Sequence, residues 1–403
     1  LARIPWVTKG KGTGVAVQHP AFVGKLLTGP EGIVAERVIR EAMTPQFSRA
    51  LDAVTQVNAV QRAFELAGDA SPFGIQLIFL AGQNPRIYAK AIPGFVRAFF
   101  SKRFIQRYMA KNRDVVMRHP GLIMPTQGTE FTEAVARGGL LRKGPFKIAG
   151  KVLEPFQRGF EGVLAVAQIE EAKGLEHLAH NLDEILQIDQ FINEFHGLAN
   201  TRRIMVGPKW RQLESAAILA PQYNRAIGAL LVDAIRGTVG TPFGATTLRT
   251  RLARDGLIRG MAAISAMAVA ISWARGEDFD QIVDHLIPGS RNFMTWDFEG
   301  QRIGPGSKVR SVLNTIGKEW NDPEHLGEIA MENPALAFIR GNLAGVPSTG
   351  LDMLLGRDYV GDPTRDGMLS VTKRVAENVI PVWVQSLVFE GGDVQQRITR
   401  GAV

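Results

Sequence analysis

The sequence predicts a mainly α protein: long packed helices with one small β-hairpin near residues 294–304. Three observations carry that expectation. Apolar residues recur at helical spacing along most of the chain, and the alternation typical of strands is scarce. Most of the 43 Gly and 21 Pro residues fall between the apolar-periodic blocks rather than inside them. With 45% hydrophobic and 21% charged residues among 403, the chain can bury a sizeable core, and wholesale disorder is not expected.

The first forty or so residues are rich in Gly and Pro and predict an arm leading into a helix around Pro30–Met43. A long periodic block runs from about Phe47 to Ala67 and stops at Gly68-Asp69. Asp69 or Ser71 is placed to cap a short helix through Leu80. The block from Pro85 to Asp114 follows. Further helices are expected at Gly150–Gly174, Leu178–Gly197, Lys209–Leu219 and Pro221–Arg236, with Pro208 and Pro221 suited to first turns. Thr247–Arg275 predicts one long helix with an apolar centre. Met294–Ile303, carrying Trp296-Asp297-Phe298-Glu299-Gly300, predicts the hairpin. Helices at Lys308–Trp320 and near Pro334–Leu343 precede a tail punctuated by Gly and Pro. Texture divides the chain into an arm (1–45), a first helical domain (46–200), a second with the long apolar helix (201–290), and a hairpin with short helices and tail (291–403). There is no repeat of fixed period.

Composition excludes some chemistry and leaves other partners open. Without cysteine there is no disulfide scaffold, thiol nucleophile or cysteine-ligated metal. A net charge of +8 is compatible with nucleic acid, an anionic lipid surface or an acidic protein, and selects none of them. The chain opens at Leu1, with Lys9 and Lys11 close by and no signal-like apolar run, as expected of a processed or partial product of a longer polypeptide.

No residue pattern in the sequence marks a catalytic, cofactor-binding or metal-ligating side chain. Lys9-Gly10-Lys11-Gly12-Thr13-Gly14 lacks the spacing of a phosphate loop ahead of a Lys-Ser/Thr pair, and no strand precedes it. His177 and His180 are three apart, so they are expected to share a helix face, with Glu176, Asp183 and Glu184 nearby. A dinuclear carboxylate site needs a matching motif on a second helix, so a solvated polar face is the expectation. Gly-x-Ser-x-Gly is absent, and the seven His residues show no diagnostic spacing to Ser and Asp. Glu170-Glu171 are expected as helix-surface charge, and Asp278 and Asp280 as helix-start charge.

Two segments point to surfaces instead. Phe95, Phe99, Phe104 and Tyr108 form one stripe of the 85–114 block, and Arg97, Lys102, Arg103, Arg107, Lys111 and Arg113 lie mostly away from it. A helix of that kind either contacts phosphates or a lipid interface through its basic face, or buries its aromatics and leaves its cations solvated, the commoner outcome. The second segment, Gly260–Trp273, includes Met261, Ile264, Met267, Val269, Ile271 and Trp273, flanked by Arg254, Arg259 and Arg275. Its apolar run falls short of the roughly 20 residues that span a bilayer. A buried core helix is expected, and insertion into a membrane after rearrangement is the sharper alternative.

Several phrases, taken in order, resemble the large polyvalent proteins of tailed phages and related mobile elements. The first is Gly68-Asp69-Ala70-Ser71 through Gln76, then Asn84-Pro85. Next come Ala199-Asn200-Thr201-Arg202-Arg203 and Leu219-Ala220-Pro221-Gln222-Tyr223-Asn224-Arg225. The closing set is Asp297-Phe298-Glu299-Gly300-Gln301-Arg302-Ile303-Gly304, Asn333-Pro334, Phe338 to Leu343, and Leu354 to Gly361. The likeness spans roughly Ala63 to Pro381. It departs from the family at Phe73-Gly74-Ile75, where an Arg-containing segment is more usual, and at Asn200-Thr201-Arg202, which lacks a glycine.

The resemblance implies a structural protein without cofactor or catalytic residues. Such a protein would be an internal or ejected virion component, in the capsid interior or tail lumen, present in the host cytoplasm during assembly and able to pass into the host cell. Its implied partners are copies of itself, portal and tail proteins, DNA through non-specific phosphate contact, and the host membrane. The alternatives are a non-catalytic spacer of a large DNA-processing polyprotein and a membrane-penetrating effector.

Overall fold

Helical spacing in the sequence becomes helix in the structure. The computed structural model describes residues 58, 77–125, 146–198, 213–214, 216–218, 220–239, 246–298, 301–304, 308–321, 323, 333–343 and 345–355. The expected arm, the helix at Pro30–Met43, all of Phe47–Ala67 but Asn58, the Gly68–Ser71 cap and the Gly/Pro-rich tail lie outside these residues, as does most of Lys209–Leu219.

The 85–114 block is not one helix. α1 (Ile78–Gln83) leads through Asn84, whose side-chain oxygen accepts the Ile87 N–H at 3.2 Å, into α2 (Pro85–Phe100). α3 (Phe104–Lys111) and α4 (Arg113–Arg118) follow as separate elements. The break after Phe100 has a long-range cause. Arg158 aims its guanidinium at the C-terminal carbonyls of α2, with Nη2 donating to Phe99 O at 2.8 Å and Nε to Ala98 O at 3.3 Å. Those carbonyls have no intrahelical donor, and Arg158 satisfies them while the chain turns away. The second break falls at Asn112, whose side chain donates to Tyr108 O at 2.8 Å.

α5 (Phe146–Leu175) is the central helix, packing against α2, α3, α4 and α6 (Leu182–Phe195). A 3-10 turn, Glu176–Leu178, separates α5 from α6, and Asn181 caps α6 through a 2.9 Å bond from the Glu184 N–H. α6 ends on Gly197, at φ 75°. There the Gly197 N–H bonds Glu194 O and the Leu198 N–H bonds Asn193 O, a paired closure that favours glycine at this position. α7 (Pro221–Val239) and α8 (Leu248–Ala274) pack on α6, and α8 also lies along α1. α8 starts on a Thr247–Thr250 capping box and closes on Gly276 in the same manner as α6.

α9 (Phe279–Asp284) begins with Asp278 accepting the Gln281 N–H, as helix-start charge should. The hairpin forms from β1 (Trp296–Phe298) and β2 (Gln301–Ile303), antiparallel, with Trp296 opposite Ile303. Trp296 is buried. Its indole N–H donates to Ser272 Oγ at 2.9 Å, and its ring stacks on His285, anchoring the hairpin to the end of α8. α10 (Lys308–Asn321), α11 (Pro334–Arg340) and α12 (Gly345–Leu355) complete the described elements, the last two joined by a buried Arg340–Asp352 pair. The fold is mainly α. One cluster of buried apolar side chains runs from Leu77 to Val309, so helices before and after residue 200 share a core.

Candidate functional site

The aromatic stripe of the 85–114 block turns inward. Phe99 meets Phe156 edge-on at 5.1 Å, Phe95 lies over Gly159, and Phe104 stacks on Tyr108 at 5.9 Å. The Tyr108 hydroxyl donates to Glu170 at 3.0 Å, which also pairs with Lys90 at 3.0 Å and Lys173 at 2.6 Å. Burial alone would raise the Glu170 carboxyl, but these three donors outweigh it and hold its pKa at about 2. Burial first, then Glu170, pushes the Tyr108 phenol upward. Glu170 is therefore a structural link between α5 and the aromatic layer, not the free surface charge expected from sequence.

The six cations expected on the outer face, Arg97, Lys102, Arg103, Arg107, Lys111 and Arg113, are all exposed. Lys102 pairs with Glu154 at 2.9 Å. Among the described residues the other five have no acidic partner. Between residues 77 and 118 the only acidic side chain is Asp114, which pairs with Arg118. Beside these cations α2 carries something the sequence reading passed over. Ile92, Val96 and Phe100 stand on the side opposite its buried Ile87, Ala91, Gly94 and Ala98, and Phe100 is 79% exposed. Strict 3.6-residue indexing of α2 would have found this second apolar stripe.

The apolar segment of α8 is divided rather than wholly buried, which corrects the core expectation. Ile264 is in the core, with Ala268 and Ser272 on the same face. Met261, Met267 and Ile271 are half-buried. Val269 and Trp273 point outward with Ile258, and Trp273 is 78% exposed. The run is also longer than the fourteen residues first marked out. α8 is long and apolar enough to cross a membrane by length and composition, with only 28% of its apolar stretch buried.

Two acid–histidine pairs escaped the sequence reading altogether. His119, just after α4, bonds through Nδ1 to Asp189 Oδ1 at 2.6 Å, and both side chains are fully buried. Asp189 Oδ2 accepts the Gly121 N–H at 2.8 Å. Asn193 accepts the Ile123 N–H at 2.9 Å and donates to Gly121 O at 2.9 Å. The segment 119–124 is thereby fastened to α6. The second pair, His196 Nε2 with Glu171 Oε2 at 2.6 Å, is also buried, so Glu171 is not surface charge either. The available signal was Asp189 and Asn193, one turn apart on the apolar face of α6. Both pairs are buried, and they tie the 119–124 segment and α5 to α6.

A third buried cluster joins three helices. Arg249 of α8 reaches Glu194 of α6 at 3.0 Å and also contacts Asp233 of α7. Burial is the main cause that lifts the Glu194 pKa to about 7, with Asp233 adding to it against the pull of Arg249 and Gln190. Burial raises Asp233 as well.

His177 and His180 do not share a helix face. His177 lies in the 3-10 turn, while the His180 N–H donates to Glu184 at 2.6 Å and Glu176 is held by Arg118. The helix expected to start at Leu178 starts at Leu182, because Asn181 supplies the cap. Among the described residues no three His, Asp or Glu side chains gather into a metal-holding group. Lys9–Gly14 lies outside the described residues.

Of the phrases behind the phage-protein resemblance, Gly68–Gln76, Ala199–Arg203 and residues 356–361 lie outside the described residues, and the others fall largely at element starts and ends. Asn84 and Asn333 cap α2 and α11, Pro221 opens α7 after Ala220 at φ 50°, and Asp297–Gly304 covers most of the hairpin. Protein-family models, curated proteins and solved structures give no match to this chain.

Proposed function

We propose that this chain is a non-catalytic helical component of a bacteriophage particle. It sits near the portal or tail, assembles with copies of itself and with neighbouring virion proteins, and contacts the packaged genome or the host envelope on delivery. The observation that carries this reading is α8, a 27-residue helix whose outward side presents Ile258, Val269 and Trp273 to solvent. Exposed apolar surface on a helical scaffold is stabilised when a neighbouring subunit or a lipid phase covers it. The buried acid–histidine pairs serve packing, and the exposed cations Arg97, Arg103, Arg107, Lys111 and Arg113 suit anionic surroundings.

Mass spectrometry and cryo-electron microscopy of purified particles test the proposal. The chain is expected at the portal or within the tail in an ordered, symmetric arrangement, and purified protein is expected to hydrolyse no nucleotide above background. Absence from particles, or turnover that vanishes on mutating one residue of this chain, would overturn it. A second reading, a membrane-penetrating effector, is favoured by one observation, the length and low burial of α8. Leakage of dye from vesicles, lost on Val269→Glu with Trp273→Glu, would favour that reading over assembly.

A further inference from the structure

We propose that the outward face of α2 and α3 is a seat for an anionic lipid surface, a deepening of the envelope contact in the reading above. α2 is a helix with two apolar sides. Its inner side sets Gly94 and Ala98 so close to α5 that a Cβ built on Gly162 would stand 2.3 Å from the Ala98 Cβ. Its outer side, opposite, is Ile92, Pro93, Val96 and Phe100, all exposed. A helix that only covers a core turns a polar side to water. Here the polar residues are confined to a flank: Arg86, Lys90 and Arg97.

α3 continues the pattern with charge. Phe104, Ile105, Tyr108 and Met109 face the core, and Ile105 and Ala165 of α5 are buried together. Arg103, Gln106, Arg107 and Ala110 occupy the opposite side, with Lys111 beside them. Both helices are laid on α5, so the apolar stripe and the basic ridge both look away from it.

The chemistry of this face selects among anionic partners. Phosphates of a duplex would engage the arginines but leave Ile92, Val96 and Phe100 in water. A bilayer carrying anionic headgroups satisfies both parts. The apolar side chains sink to the acyl boundary, while Arg97, Arg103, Arg107, Lys111 and Arg113 stay at headgroup level. Phe100, at the C-terminal end of α2 and two residues before Lys102, stands where the two parts meet.

Co-flotation of the full chain tests this, using vesicles of phosphatidylcholine alone and of phosphatidylcholine with a quarter phosphatidylglycerol, at low and raised sodium chloride. Binding is expected to the anionic vesicles and to weaken with salt. Val96→Ser with Phe100→Ser, and separately R103Q/R107Q/K111Q, are each expected to weaken it by about tenfold or more. These positions are exposed, and an unchanged circular-dichroism melting curve establishes that each variant folds. No binding to anionic vesicles would overturn the proposal, as would full binding by either variant. So would a basic-ridge variant that loses duplex DNA while V96S/F100S loses neither DNA nor vesicles, an outcome that assigns the face to nucleic acid. The assay uses purified chain, so absence from particles and failure to float are separate results.

Discussion

At the residue scale the most informative group is Glu194. It is buried between three helices, beside Asp233, with Arg249 serving both carboxyls. Burial disfavours its ionised form most, Asp233 adds to that, and Arg249 offsets the two only in part, so the carboxyl of Glu194 titrates at about 7. The unfolded chain releases that proton near 4.5. Between those values the folded state holds more protons than the unfolded one, so stability falls as pH rises from 4.5 to 7. Urea unfolding at pH 5.5 and pH 8 should therefore show a decline that Glu194→Gln reduces, by up to about 2 kcal/mol. Equal declines in both proteins would mean that Glu194 is already ionised in the fold. Glu170 acts with the opposite sign: its contribution is present above 4.5 and is lost as pH falls toward 2.

At the element scale, close helix contact depends on residues with no side chain to displace. Gly162 of α5 meets α2 where Ala98 Cβ and Gly94 O lie 2.3 and 2.7 Å from a built Cβ. Gly162→Val must push α2 outward and should lower the unfolding free energy by about 3 kcal/mol. Gly228 of α7 has nothing within 4 Å, so Gly228→Ala should instead stabilise by about 0.5–1 kcal/mol through helix propensity. Opposite shifts in the urea midpoint check the pair, and a neutral Gly162→Val would mean that the α2–α5 crossing yields to an added side chain at little cost. The same logic explains which elements could be read from sequence. α8 was legible to within a residue at each end, because Thr247 and Gly276 are local signals. The split of the 85–114 block was not, because Arg158, some sixty residues away, caps α2. The buried pairs His119–Asp189 and His196–Glu171 were equally hidden, since their partners lie far apart along the chain.

At the scale of the whole molecule, the question is what covers the apolar surface that the core leaves over. Sequence marked the α8 segment and the six basic residues, but not which face of α8 packs. That depends on α1, α6 and α7 arriving from distant parts of the chain, and Leu252, Leu257 and Ile264 join the core they share. Ile258 and Trp273, 59% and 78% exposed, are left on the other side, about four turns apart along one stripe. A stripe of that length matches a helix-sized partner, which a second copy of this chain supplies with the same surface. Sedimentation velocity should show self-association that rises with concentration, and Ile258→Glu with Trp273→Glu should return the protein to monomer. Both positions face solvent, so the thermal midpoint of the monomeric variant should match that of diluted wild type. A wild-type chain that stays monomeric at high concentration would remove α8 as a contact between copies and leave a neighbouring virion protein or lipid to cover it.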